Sequence, residues 1–242
     1  MHVPSVSTVA LAAAATAFAD TQRVAAYNSL PSLTVHACPE VATITYSHSV
    51  PEQTAFPTTE VELCYVEDQQ TPSGGSAFLH INFTAYAEPY FYYDPSMGTN
   101  DPLYEYEVME TFISRGTNDP QTYLEFEVNP GNATWQAFIY NPSKVRAPNA
   151  TFTNFPIDPF AVGIAASTVL DEPAGVWSSY VQIPLGLFNV DRNRAKGTEW
   201  RMNFFRIVES EESYPDQTLG AWSPPDEASF HKTPFFGYVK FA

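Results

Sequence analysis

The sequence predicts an all-β protein, an antiparallel β-sandwich, and three observations carry that expectation. Apolar and polar residues alternate in short runs, the runs end at Pro, Gly, Asn or Asp, and helical spacing is scarce beyond the N-terminal stretch. The 242 residues include 21 Pro and 11 Gly, punctuation that suits many short strands better than long helices. Aromatic residues make up 15% of the chain and charged residues 16%, too apolar a mixture for disorder driven by charge.

Taken in chain order, the first element is an address. Residues 9–19 read VALAAAATAFA and close on Ala17-Phe18-Ala19, the small-x-small pattern of a cleaved secretory signal. The run is shorter than the roughly 20 apolar residues that span a bilayer, and no later stretch is longer. The expectation is a signal peptide over 1–19, a single domain over 20–242 and a secreted, extracellular mature chain. Cys38 and Cys64 are the only cysteines. An oxidising route favours a disulfide between them over two buried thiols. Asn82-Phe83-Thr84, Asn132-Ala133-Thr134 and Asn149-Ala150-Thr151 are glycosylation sequons, whereas proline excludes Asn141-Pro142-Ser143.

Alternation then marks strands at 77–84, 123–128, 134–140, 176–183, 200–208 and 236–241. In 123–128, Leu124, Phe126 and Val128 share one face, expected to meet the core, and Glu125 and Glu127 share the other. The loop 69–76 (QQTPSGGS) reads as a separator of two strands, not of two domains. Turn signals such as Asn129-Pro130-Gly131 and Asn118-Asp119-Pro120 divide the remainder.

With 27 Asp+Glu against 11 Lys+Arg, the formal net charge is −16. This argues against nucleic acid or an anionic membrane surface as partner, since both need a basic footprint. The chemistry-bearing candidate is the acidic run holding Glu105, Glu107 and Glu110. Strand alternation would set Tyr104, Tyr106, Val108, Glu110 and Phe112 on one face. A ring covers the apolar face of a sugar while a carboxylate accepts from its hydroxyls. The same cluster could supply the two carboxylates of a glycosidase or form a solvated acidic edge. The His residues show no zinc spacing, Asp191-x-Asn193 lacks the closing Glu of a calcium loop, and no nucleophile elbow or phosphate cradle occurs. Met109 or Met202 with His80 or His231 could ligate a haem, although a Met in an apolar strand is usually core.

Four stretches in order carry a family resemblance. They are N-D-P-L-Y-E-Y-E-V-M-E-T-F-I at 100–113, Y-L-E-F-E-V-N-P at 123–130, W-R-M-N-F-F-R-I at 200–207, and A-W-S-P at 221–224 followed by F-H-K-T-P-F-F-G at 230–237. Together they resemble the family 9 carbohydrate-binding modules, and more specifically the secreted stand-alone family 9-like proteins of fungi, over about 82–241. The mature residues before Asn82 match none of its motifs. The resemblance implies a distorted jelly-roll β-sandwich that grips sugar between two aromatic rings, matched here by Tyr104 and Phe230 where the family usually has Trp, with Glu110 as hydrogen-bond acceptor. Trp222, Arg201 and Arg206 match motif positions that serve binding, or packing and buried ion pairing. It also implies structural calcium, for which no ligand can be matched, and otherwise no cofactor. The expected function is non-catalytic binding of an oligo- or polysaccharide by a secreted monomer, in its recognition or breakdown. The alternatives are a glycoside hydrolase and a haem-binding electron-transfer sandwich, an architecture shared by related domains.

Overall fold

The computed structural model describes residues 30–71 and 74–242; the expected signal peptide at 1–19 lies outside them. Thirteen strands among these residues are β1 (Ser32–Val35), β2 (Ala42–His48), β3 (Ala55–Thr71), β4 (Gly74–Ala85), β5 (Val108–Arg115), β6 (Thr122–Val128), β7 (Thr134–Tyr140), β8 (Thr153–Pro156), β9 (Ala165–Asp171), β10 (Val176–Pro184), β11 (Glu199–Val208), β12 (Thr218–Ala221) and β13 (Gly237–Phe241). They form two sheets. One runs β1-β13-β11-β5-β6-β7-β8, with β12 also on β11, and the other β2-β3-β4-β10-β9. Every pairing is antiparallel except β1 with β13. The sandwich expectation holds. The 69–76 stretch does separate two strands, although pairing continues through Thr71 and Gly74, so less of it is loop than its composition suggests.

The inner faces bury one continuous core. Leu124, Phe126 and Val128 of β6 meet Met109 and Ile113 of β5, Phe204 of β11 and, across the sandwich, Phe83 and Trp177. Phe83 and Phe204 make an edge-on ring pair at 6.2 Å. Met109 and Met202 both lie in this core, while His231 lines a cleft on the outer face of the β11-β5-β6 sheet and His80 sits among Gln69, Tyr180 and the disulfide. Among the described residues, neither Met109 nor Met202 is brought together with His80 or His231, the pairs on which the haem alternative relied. The Cys38–Cys64 disulfide is present, joining the segment before β2 to β3.

The outer face of the larger sheet is covered too, and this positions the site. Val108 and Phe112 of β5, Tyr123 of β6 and Phe205 of β11 pack there with Leu103, Phe230 and Phe236 from flanking loops. Arg201, fully buried, holds the loop before β13 in place: it donates to the carbonyls of Phe236 at 2.9 Å and Pro234 at 3.0 Å, and pairs with Asp119 at 2.7 Å. Asn203 reaches the Ser223 carbonyl at 2.7 Å. Lys232, 3% exposed, pairs with Asp226 and, at 2.6 Å, with Glu227. A Cβ on Gly237 would collide with the Trp222 ring, so glycine lets that indole close over β13.

Candidate functional site

On this covered outer face, β5 and β6 bring three carboxylates together. Glu110 stands directly opposite Glu127 in the ladder, and Glu125 lies two residues along β6 on the same side. All three line a cleft of about 340 Å³ with Tyr104, Trp135, Arg146, Phe152, Phe230 and His231. Glu110, Glu125 and Glu127 are 3%, 6% and 1% exposed, so the solvated-edge reading of Glu110 is corrected: the loops that cover the sheet remove it from water.

Tyr104 does not sit on the strand as alternation suggested. It falls in the short 3-10 turn Leu103–Glu105, half exposed, with its carbonyl accepting from Gln217 at 2.7 Å. The turn still delivers the phenol to the rim of the cleft. Phe230 lines the cleft but is mostly buried, stacked on Phe205 at 4.1 Å. Trp222 and Arg206 lie outside it. Trp222 packs on Phe204, and Arg206 is buried between the sheets in an ion pair with Glu88. With no exposed surface, Arg206 is corrected from ligand contact to structural ion pair. Glu105 is exposed, whereas Glu107 is fully buried and accepts from the amides of Tyr92 at 3.0 Å and Glu209 at 3.1 Å, a loop anchor. Among the sequon asparagines, Asn132 and Asn149 are exposed, and Asn82 is half-buried with its amide on Glu62 at 3.1 Å.

Four cleft residues escaped the sequence reading as sugar contacts. Arg146 is set by the Asn141 side chain, which accepts from its amide at 3.2 Å, and its guanidinium lies 4.5 Å over the Phe152 ring. Phe152 in turn meets His231 edge-on at 4.8 Å. His231 bonds the Tyr123 hydroxyl at 2.7 Å and stacks on Phe112. Trp135 projects from β7 into the cleft.

Burial governs the charge state here. It raises the Glu110 carboxyl to about 8. Glu125 is raised well above the usual range by burial and then by Glu110, with Arg146 opposing. Glu127 is raised by burial and by both neighbours, while the Tyr104 amide favours its charged form. His231 is pushed down to about 3 by burial and by Arg146, so it is neutral. For calcium, the sole grouping of three His, Cys, Asp or Glu at ligand spacing among the described residues is Cys38, Cys64 and His80. Two of those are joined as a disulfide, and none is an oxygen ligand, so this set does not fit the ion.

No protein-family model matches the chain. An extracellular protein of Arthroderma benhamiae is 51% identical over 212 residues, covering 87% of this chain and 90% of that one. The chain belongs to its family. Like that relative, it is an extracellular protein. Solved structures share the fold of this chain. A Bacteroides uniformis protein described as a candidate carbohydrate-binding protein superposes with TM-score 0.62 at 16% identity, over 88% of this chain and all of that one (100%). A family 9 carbohydrate-binding module from Caldicellulosiruptor kristjanssonii, in complex with glucose, gives 0.54 at 12% identity, covering 88% and 96%. A family 9 module from that organism in complex with cellotriose gives 0.50 at 11%, covering 87% and 93%. In fold, this extracellular protein is therefore family 9-like.

Proposed function

We propose that the protein binds an oligo- or polysaccharide outside the cell, without cleaving it, in the cleft over β5 and β6. The observation that carries this reading is the pairing of partly exposed rings, Tyr104, Trp135 and Phe152, with hydrogen-bonding side chains on one wall-and-floor surface. The cleft lies in the range of about 300–1,000 Å³ of small-molecule sites. The rings offer flat apolar area to a pyranose, and Glu110, Asn154 and Gln217 offer acceptors and donors to its hydroxyls. The glucose and cellotriose complexes of family 9 modules support the ligand class. The test is calorimetric titration of a glucan oligomer into wild type, Tyr104→Ala and Phe152→Ala. Loss of a stacked ring is worth about 1–3 kcal/mol on the base-stacking scale, so each variant weakens binding by about tenfold with little change in melting. Unchanged affinity in both variants contradicts the assignment of this cleft.

One observation favours a second reading, hydrolysis. Glu110, held protonated to about pH 8, is suited to donate a proton to a leaving oxygen, with Glu125 or Glu127 as the second carboxylate. Release of reducing sugar by the wild type that Glu110→Gln abolishes would establish it.

A further inference from the structure

The cleft floor gathers three buried carboxyls, more acidic groups than a neutral sugar calls for. Glu110, Glu125 and Glu127 converge within two adjacent strands, and Glu127, only 1% exposed, has its Oε2 buried without a hydrogen-bond partner. A buried unpartnered carboxylate oxygen is costly unless something arrives to meet it. Arg146 is the cation that lines the cleft; it is exposed, lies over the Phe152 ring and can offset at most one of the three carboxyls when they ionise. His231, the other basic side chain there, is held neutral by burial.

Resting on the carbohydrate-binding reading, we propose that the cleft selects a cationic amino sugar, a hexosamine with a free ammonium group, whose nitrogen sits among Glu110, Glu125 and Glu127. An ammonium carries three donors and no acceptor, which matches a floor of acceptors that includes the orphan Oε2 of Glu127. Tyr104, Trp135 and Phe152 then cover the sugar ring as they would a neutral one. The site's acids are raised by burial and mutual repulsion. An ammonium among them draws them back towards the ionised form and expels protons on binding, which a neutral sugar has no reason to do.

The experiment is calorimetry at physiological salt with three ligands of equal length: β-1,4-linked glucosamine oligomers, their N-acetylated counterparts and cello-oligomers. Titrations are repeated in two buffers of different ionisation enthalpy. The free-amine oligomer should bind at least about tenfold more tightly than either neutral ligand and release protons. Glu127→Gln and Glu125→Gln should each erase most of that preference while leaving weak neutral-sugar binding. Glu62→Gln, on the other sheet, controls for the overall negative charge and should change nothing. If all three ligands bind equally and without proton release, the amino-sugar inference fails and the cleft reading stands. If no ligand binds, both fail. If the preference survives in both glutamine variants, the ammonium lies elsewhere and the inference is overturned.

Discussion

Replacing Arg206 by methionine separates the structural part of this account from the functional part. Its guanidinium pairs with Glu88, both side chains having no exposed surface, and donates to Thr59 Oγ1 at 3.2 Å. The Glu88 carboxylate also receives the Tyr90 amide at 2.9 Å, so the pair anchors the chain leaving β4. Arg206→Met fills the space with an apolar stem but leaves the buried Glu88 carboxylate without its partner beside Glu107, whose own carboxyl burial and then Glu88 raise to about 9. Breaking a buried pair from one side costs about 3–5 kcal/mol. For a domain of this size each kcal/mol lowers Tm by about 2–4 °C, so the loss should be roughly 6–20 °C. Glu88→Gln in the same background should recover part of it, because the uncompensated charge is gone, and the cycle should show coupling of about 0.5–3 kcal/mol. Thermal unfolding followed by fluorescence measures this, with calorimetry giving sugar affinity per folded molecule. Wild-type melting would refute the buried-pair argument. Normal melting with lost sugar binding would return Arg206 to the site.

Two further outcomes are expected. Glu110 is raised from 4.5 to about 8 in the folded chain, so its contribution to stability is complete below about pH 4.5 and is lost as pH rises to about 8. His231, lowered from 6.5 to about 3, runs oppositely: its contribution is complete above about pH 6.5 and is lost as pH falls. Between about pH 6.5 and 8 the carboxyls act alone, so stability should fall with rising pH, and Glu110→Gln should flatten the slope by up to about 1.4 kcal/mol per pH unit. Urea midpoints across that range check it, and an equal slope in the variant would contradict it. Cys38→Ser with Cys64→Ser opens a loop with a sequence separation of 26 and should cost roughly 3 kcal/mol by chain entropy, read as a lower urea midpoint; an unchanged midpoint would contradict it.

The sandwich was legible because alternation is a local property. The run at 123–128 alone separates Leu124, Phe126 and Val128 from Glu125 and Glu127, and the core keeps that division. Alternation does not say what lies over the second face. A solvated edge stays open for Glu110 beside the sugar site until the loop that Arg201 and Lys232 hold down is seen to cover that face. Tyr104 was placed in the right neighbourhood for a partly wrong reason, since the chain turns at Leu103–Glu105 before β5 begins. Arg146 left no sequence signal, because its place depends on the Asn141 side chain and a left-handed backbone at φ 49. Trp135 and His231 were visible as an aromatic in an alternating run and a histidine in a motif, but only the tertiary fold sets them beside three glutamates. Short strands such as β1, β8 and β12 have four residues each, too few for a periodic signal.

The central claim is that sugar binds over β5 and β6, and the chain supplies its own probe. Of its 4 tryptophans, Trp177 and Trp200 have no exposed surface and Trp222 packs on Phe204, which leaves Trp135 lining the cleft. Titrating oligosaccharide while following tryptophan emission should give a saturable change in the wild type. The change should vanish in Trp135→Phe, and the midpoint should shift by roughly two- to tenfold in Glu110→Gln, as loss of a hydrogen bond from a neutral carboxyl worth about 0.5–1.5 kcal/mol requires. Calorimetric binding with no change in emission, and with the same affinity in Glu110→Gln, would place the sugar on another surface and contradict the account.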